Sequence, residues 1–217
     1  NTAIGISAMV ANTTGADNVA VGASSLDANT TGSENVAIGL NALGASDTGS
    51  RNVAVGRAAL GAHNPDGAQD GYNVAMGYDA LTTSTTAARN TAVGGLAMRV
   101  STTGAENVAI GYSAMVANTT GNRNAALGDT ALDANTLTTA SQCIIIGDNA
   151  AAGSAITGSN LVVIGDNSGY NLTGGVANTT IVGPQAGGNM TSAANCLILG
   201  NNAGITGSPG GNITTAD

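Results

Sequence analysis

The sequence has few aromatic and few charged residues. Its 217 residues include no Trp, no Phe and four Tyr, and charged residues make up 8%. A globular domain of this length normally uses more aromatic side chains in its core. The hydrophobic content of 42% is nevertheless too high for a disordered chain. We therefore expect a folded chain whose core is a regular lattice of aliphatic side chains.

Positive charge is also scarce. The chain has no Lys, five scattered Arg and a formal net charge of −8. No basic stripe could neutralise a run of phosphates, so we expect no nucleic-acid partner. No apolar run approaches the roughly 20 residues that a membrane helix needs, and no signal peptide is recognisable. The sequence therefore predicts no membrane insertion.

A short apolar strand closed by Gly recurs along the chain, as in NVAVG, NVAIG and CIIIG. The closing residues are Gly5, Gly22, Gly39, Gly56, Gly77, Gly94, Gly111, Gly128, Gly147, Gly165, Gly183 and Gly200. Most lie 17 residues apart, and the longer units carry small insertions. A unit this short cannot bury its own apolar face, so it must be stabilised by stacking on its neighbours. The sequence predicts an all-β fold, a parallel β-solenoid or β-roll of about twelve 17-residue coils.

Each predicted strand has three core positions before its Gly, which we call the first, middle and third. The first and third positions are mostly Val, Ile or Leu, and the middle position is Ala in the first eight coils. We expect the first and third positions to line the core. The middle position points the other way and is also apolar, which predicts burial on both faces and contact with another chain.

The repeat changes near residue 142. From the ninth coil on, the middle position becomes Ile145, Val163, Ile181 and Ile198. The position four residues after Gly, here named the return column, changes from Leu or Met to Ala151, Gly169, Gly187 and Gly204. Such an exchange of volume predicts that the two columns touch. We divide the chain accordingly into solenoid subregions 1–142 and 143–217.

Polar residues also form columns. Asn begins each of the first eight strands, and stacked Asn amides can satisfy turn backbone groups. Just ahead of this column, Glu34 is expected to face Arg51, and Glu106 is expected to lie between Arg89 and Arg123. Cys143 and Cys196 occupy one repeat position three coils apart, about 14 Å at the spacing of parallel strands. They are too distant for a disulfide and are expected to be buried core residues.

Residues able to support catalysis are few. Asp129, Asp148 and Asp166 follow the strand Gly in three successive coils, and could form a general acid/base pair, a loose cation site or a solvated turn column. His63 has no nucleophile or metal-ligand partner in a recognisable motif. We therefore predict no enzyme activity, no catalytic residues, no metal site and no cofactor. An ice-binding face is disfavoured because the paired Thr residues are adjacent and would point to opposite sides.

The insertion Gly61–Tyr72 is the best candidate for a contact surface, because recognition often concentrates on loops that project from a regular scaffold. Tyr78 and Tyr112, each just after a strand Gly, could add exposed rings. The predicted surface-binding patch consists of Arg57, His63, Asp66, Tyr72, Tyr78 and Tyr112.

The pattern N-V-A-[VI]-G-x-x-A-[LM]-x-A-N-T-T-G resembles the head repeats of trimeric autotransporter adhesins. It is more similar to the Gly/Asn/Thr repeats of tail fibres from marine phages, since autotransporter heads usually have shorter units. The later stretch IVGPQAGGNMTSAANCLILGNNAG and the ending SPGGNITTAD resemble the region that precedes a self-cleaving trimerisation chaperone in those fibres.

This resemblance covers essentially the whole chain. It implies a homotrimeric fibre segment with a structural and host-attachment role, in contact with a host cell-surface glycan or protein and with other virion tail proteins. The implied location is the virion tail fibre or, for an adhesin, the extracellular cell surface. A bacterial adhesin head is the alternative function, followed by a glycan-degrading tailspike enzyme.

Overall fold

The computed structural model describes residues 1–64, 70–133, 140–153, 156–172, 176–190 and 194–204, together with the backbone of 213–215. The chain divides into two compact units, Asn1–Glu106 and Asn107–Asp217. The described residues form strands and turns and contain no helix.

Every unit is built from very short strands. The first unit contains β1 (Thr2–Ile4), β2 (Val19–Val21), β3 (Val36–Ile38), β4 (Val53–Val55), β5 (Val74–Met76) and β6 (Thr91–Val93). The second contains β7 (Val108–Ile110), β8 (Ala125–Leu127), β9 (Ile144–Ile146), β10 (Val162–Ile164), β11 (Thr180–Val182), β12 (Cys196–Leu199) and β13 (Ile213–Thr215).

Consecutive strands pair in parallel, one coil apart. In the first unit β1 to β6 follow one another in this way, with Val19 opposite Val36 and Ala20 opposite Ala37. In the second unit β7 to β12 do the same, and β13 pairs antiparallel with β12. The turns also bond to the next coil, as in Leu26 N–H to Ala42 O at 3.0 Å. The predicted all-β parallel β-solenoid of about twelve coils is confirmed.

Glycine follows each of the strands β1 to β12, where the backbone has a positive φ that side chains rarely adopt. Gly39 has a φ of +131°, and a Cβ on it would lie 2.6 Å from the carbonyl oxygen of Gly56 in the next coil. The chain then turns back through two left-handed residues, such as Ser24 and Leu26. The regular closing Gly is therefore required both by the backbone conformation and by the stacking of the coils.

The two faces of the strands are the reverse of what the sequence analysis predicted. The middle residues, such as Ala37 and Ala54, are fully buried inside the coil, whereas the first and third residues lie on the outer face. Ile38, expected in the core, is 40% exposed. The coil interior already holds the large return column, so only a small side chain fits opposite it. Because both faces are apolar, their pattern did not reveal which one is inside.

The predicted contact between the middle and return columns is confirmed. Leu26, Leu43 and Leu60 are fully buried in the coils where the middle residue is Ala. In the later coils, a Cβ on Gly187 would lie 2.8 Å from Ile181 Cδ1, and one on Gly169 would lie 3.1 Å from Val163 Cγ1. The two columns therefore share one space. The proposed subregion boundary at 142/143 concerns this change of pattern and stays a prediction.

The Asn column satisfies turn backbone groups, as predicted. Asn18 Oδ1 accepts a hydrogen bond from the Asn35 backbone N–H at 2.9 Å, and Asn18 Nδ2 donates to Gly32 O at 2.8 Å. Asn35 repeats the arrangement with Asn52 and Gly49. Each buried amide thus ties its own coil to the next one.

Both cysteines are free and buried, as predicted. They occupy the position of the Asn column in the later coils, where Leu161 and Thr179 also stand. Burial raises the pKa of the Cys143 thiol, which disfavours the reactive thiolate. The environment of Cys143 is that of a core residue.

Candidate functional site

The outer face of the strands carries a stripe of partly exposed aliphatic side chains. The residues in the stripe that are exposed by more than a third are Ile4, Ile38, Met76, Val108, Ile110, Leu127, Ile144, Ile146, Leu197 and Leu199. Those that lie in one unit recur at the same strand positions from coil to coil. Large apolar groups repeated in register on one exposed face are typical of an interaction surface.

One Arg–Tyr pair lies just after strands β4 and β5. Arg57 follows Gly56 and Tyr78 follows Gly77, so the two side chains are neighbours in adjacent coils. Arg57 Nη1 donates to Tyr78 Oη at 2.9 Å, and the guanidinium lies 5.2 Å from the ring centroid. Asp79 Oδ1 is 3.7 Å from Arg57 Nη1. The structure therefore brings together two residues of the predicted patch as a cation–π pair on an exposed surface.

A second Arg–Tyr pair lies before the same two strands. Arg51 is 5.6 Å from the Tyr72 ring centroid and donates to Tyr72 Oη at 3.2 Å. It also donates to both carboxylate oxygens of Glu34, each at 3.2 Å, and forms an ion pair with Asp70. The hydrogen bond to Glu34, followed by the one to Tyr72, raises the pKa of Arg51. The predicted Glu34–Arg51 contact is confirmed, and Arg89 similarly pairs with Glu106 at 3.2 Å.

Three other predicted patch residues do not join these pairs. His63 is fully buried, so its assignment to a surface patch is wrong: it occupies an inward-facing turn position shared with Ser46 and Ser84. Burial lowers the pKa of His63 to about 4. Asp66 lies outside the described residues. Tyr112 is exposed but belongs to the second unit.

The residues of the acidic column lie at the surface, one in each of three successive coils. Asp129, Asp148 and Asp166 are all exposed. Asp148 Oδ1 and Asp166 Oδ1 each accept a hydrogen bond from the Asn that follows them, at 3.1 and 2.9 Å. No group of three His, Cys, Asp or Glu side chains suited to a metal ion occurs among the described residues. This arrangement matches the solvated turn column.

A shallow depression of about 330 Å³ lies in the second unit. It is lined by Asn167, Tyr170, Gln185, Gly188 and Asn189. Tyr170 is 42% exposed, and the three carboxamides supply both donors and acceptors. An exposed ring beside neutral amides is suited to a ligand with many hydroxyl groups.

The sequence analysis did not predict this depression. It also did not predict that Arg51 contacts Tyr72, a residue of the predicted patch. A usable signal was present for the pairs: Arg51 and Tyr72 occupy one repeat position, and Arg57 and Tyr78 occupy another. Aligning the sequences of successive coils therefore places each Arg beside its Tyr. The depression had no such signal, because Tyr170 lies in a turn whose shape differs between coils.

Within the described ranges, no helix is long and apolar enough to cross a membrane. No protein-family model, curated protein or solved structure matches this chain.

Proposed function

We propose that this chain is a structural and host-surface-binding segment of a homotrimeric tail fibre of the phage type. The observation that carries the proposal is the exposed aliphatic stripe on the outer face of the strands. An apolar face of this regularity is stabilised when a partner covers it. A second and third copy of the same chain offer an identical coil spacing, so their stripes would match coil by coil. The number three rests on the resemblance of the repeats to trimeric fibres.

Receptor contact is assigned to exposed groups that do not belong to this stripe. The Arg57–Tyr78 and Arg51–Tyr72 pairs present rings and hydrogen-bonding groups on the first unit. The Tyr170 depression presents amides and a ring on the second unit. Together these sites suit a host cell-surface glycan or protein. In this proposal other tail proteins bind the assembled fibre, and the segment belongs to the virion.

Sedimentation of the purified chain tests the assembly. A trimer has a mass of about 62 kDa, three times the 20.7 kDa of one chain. Ile38→Asp combined with Met76→Asp should dissociate it, because two charges would be buried in the interface. Thr31→Asp, which adds one charge to an exposed turn of the second coil, is the control and should leave the mass unchanged. A wild-type chain that sediments as a 20.7 kDa particle would contradict the proposal.

Binding to a glycan array tests the receptor role. We expect Tyr170→Ala or Tyr78→Ala to reduce binding while the mass of the assembly stays the same. Arg99→Ala, which changes neither site, serves as the control. Binding that is unaffected by both Tyr170→Ala and Tyr78→Ala would remove these two sites from the proposal.

The head of a bacterial trimeric adhesin is the alternative, because its repeats share the same pattern. The residues flanking this segment in the parent gene distinguish the two: a trimerisation chaperone indicates a phage fibre and a membrane anchor indicates an adhesin. We propose no enzyme activity. Depolymerisation of a host glycan that is lost in Asp148→Asn would overturn that view.

A further inference from the structure

A buried polar column runs through the turns of the first unit. The residues that occupy it in successive coils are Asn12, Asn29, Ser46, His63, Ser84 and Ser101. From Asn29 onward all are essentially inaccessible to solvent. From Asn12 to Ser84, the backbone N–H of each residue donates a hydrogen bond to the carbonyl oxygen three positions earlier, as in Asn29 to Leu26 O and Ser46 to Leu43 O. The same buried turn position is therefore occupied by Asn, Ser or His in different coils, and the hydrogen bonds of these side chains can be compared directly.

In the Asn coils the side-chain amide nitrogen makes two hydrogen bonds. Asn29 Nδ2 donates to Asn12 Oδ1 in the preceding coil at 2.8 Å and to Gly32 O in its own coil at 3.1 Å. Gly32 O also accepts from Asn18 Nδ2, so both of its lone pairs are used. In the second unit Gly121 O likewise accepts from Asn107 and Asn118.

The next coil has the same acceptors but lacks the amide. Asn29 Oδ1 is fully buried and has no hydrogen-bond partner, and the same holds for Ser46 Oγ. Gly49 O accepts from Asn35 Nδ2 at 2.8 Å, the counterpart of the Asn18 bond, but no described side chain supplies the second bond. Asn29 Oδ1 and the Ser46 hydroxyl thus have no partner, and Gly49 O has one lone pair to which no described side chain donates. All three surround the place that an Asn amide nitrogen would occupy.

The position of Asn29 Oδ1 supports this comparison. It lies 2.5 Å from a Cβ placed on Gly32, as Asn12 Oδ1 lies 2.5 Å from one placed on Gly15. Because Asn12 Oδ1 accepts from the following coil, Asn29 Oδ1 is placed to accept from the coil of Ser46 as well. A Ser side chain lacks the outer two heavy atoms of Asn and cannot deliver that donor itself.

We propose that the coil of Ser46 binds one buried water molecule in place of the missing amide nitrogen. The water donates one hydrogen to Asn29 Oδ1 and one to Gly49 O, and it accepts the hydroxyl hydrogen of Ser46. Three polar partners are the usual complement of a buried water. An unpaired buried polar group is destabilising, so this single molecule removes several such penalties at once. Ser46 and the water together then make hydrogen bonds equivalent to those that Asn29 Nδ2 makes in its own coil.

A high-resolution crystal structure of the full chain and of two variants tests the site. The wild type should show an ordered water within about 3.2 Å of Ser46 Oγ, Asn29 Oδ1 and Gly49 O. In Ser46→Asn the amide nitrogen should replace that water, with a Tm equal to or above that of the wild type. In Ser46→Ala the Tm should fall by about 2–4 °C, because one partner of the water is lost.

Nuclear magnetic resonance gives an independent readout that needs no variant. The Ser46 β protons should show a cross-peak to water with the sign of a long-lived bound molecule. A dry site with Ser46 Oγ bonded directly to a protein acceptor would overturn the proposal. A water that persists unchanged beside the new amide in the Ser46→Asn structure would do so too, because the amide would then not be its substitute.

Discussion

Acid should destabilise the first unit through His63. Neither ring nitrogen of this buried side chain makes a hydrogen bond of normal geometry, and the adjacent coils place Ser46 and Ser84, which do not titrate, at the same position. Burial lowers the pKa of His63 to about 4, with a smaller opposite influence from the Ser84 backbone. In the unfolded chain the pKa returns to about 6.5.

The sign of the effect follows from these two values. Between about pH 6.5 and pH 4 the unfolded chain binds a proton at His63 that the folded chain does not, so the free energy of unfolding falls as the pH is lowered through this window. The two pKa values differ by about 2.5, which corresponds to a loss of about 3 kcal/mol. Above about pH 6.5 His63 is neutral in both the folded and the unfolded chain, so none of this free energy of unfolding is lost.

Urea unfolding at a series of pH values, followed by circular dichroism, measures the loss. His63→Ser is the matched control, because Ser is the native residue of the adjacent coils and the carboxylates are common to both proteins. The free energy of unfolding of the wild type should drop by about 3 kcal/mol relative to the variant between about pH 7 and pH 4. Parallel curves for the two proteins would refute the reasoning.

Three further substitutions test the packing of the coils. Gly39→Ala should prevent folding or strongly lower the Tm, because the new Cβ would lie 2.6 Å from a carbonyl oxygen; Gly44→Ala, with no contact closer than 3.3 Å, should lower it much less. Ala54→Ile should lower the free energy of unfolding by about 1–3 kcal/mol, and a double-mutant cycle with Leu60→Gly should show a favourable coupling of about 1 kcal/mol. If the effects of Ala54→Ile and Leu60→Gly on the free energy of unfolding were strictly additive, this would contradict the conclusion that the two side chains share one space. Asn35→Ala should lower the free energy of unfolding in urea by about 2–3 kcal/mol, because it leaves the buried Asn52 N–H unpaired and removes one hydrogen bond from Gly49 O. A loss below about 0.5 kcal/mol would contradict that account.

The fold could be predicted because one short pattern repeats. The spacing of residues such as Gly39 and Gly56 fixed the coil length, and a coil that short can be stable only by stacking. The direction of the strand faces could not be predicted in the same way. Ala37 and Ile38 are both apolar, and only the size of the space opposite Leu43 decides which of them lies inside.

The candidate site was predicted in part. Arg57, Tyr72 and Tyr78 are exposed side chains and each belongs to a cation–π pair, but His63 is buried. A His in a polar insertion suggests exposure, and its inward position follows only from alignment with Ser46 of the preceding coil. The Tyr170 depression depends on local turn shape, which a repeat pattern does not encode.

The exchange of volume between middle and return columns has a consequence for how such a chain can evolve. The two exchanging residues always lie six positions apart within one coil, such as Val163 and Gly169. A crossover between genes at a coil boundary transfers both together and keeps the interior filled. A crossover inside a coil separates them and leaves either a hole or an overlap. Duplication and loss should therefore proceed in whole coils, and the length of the segment can drift without any redesign of its interior.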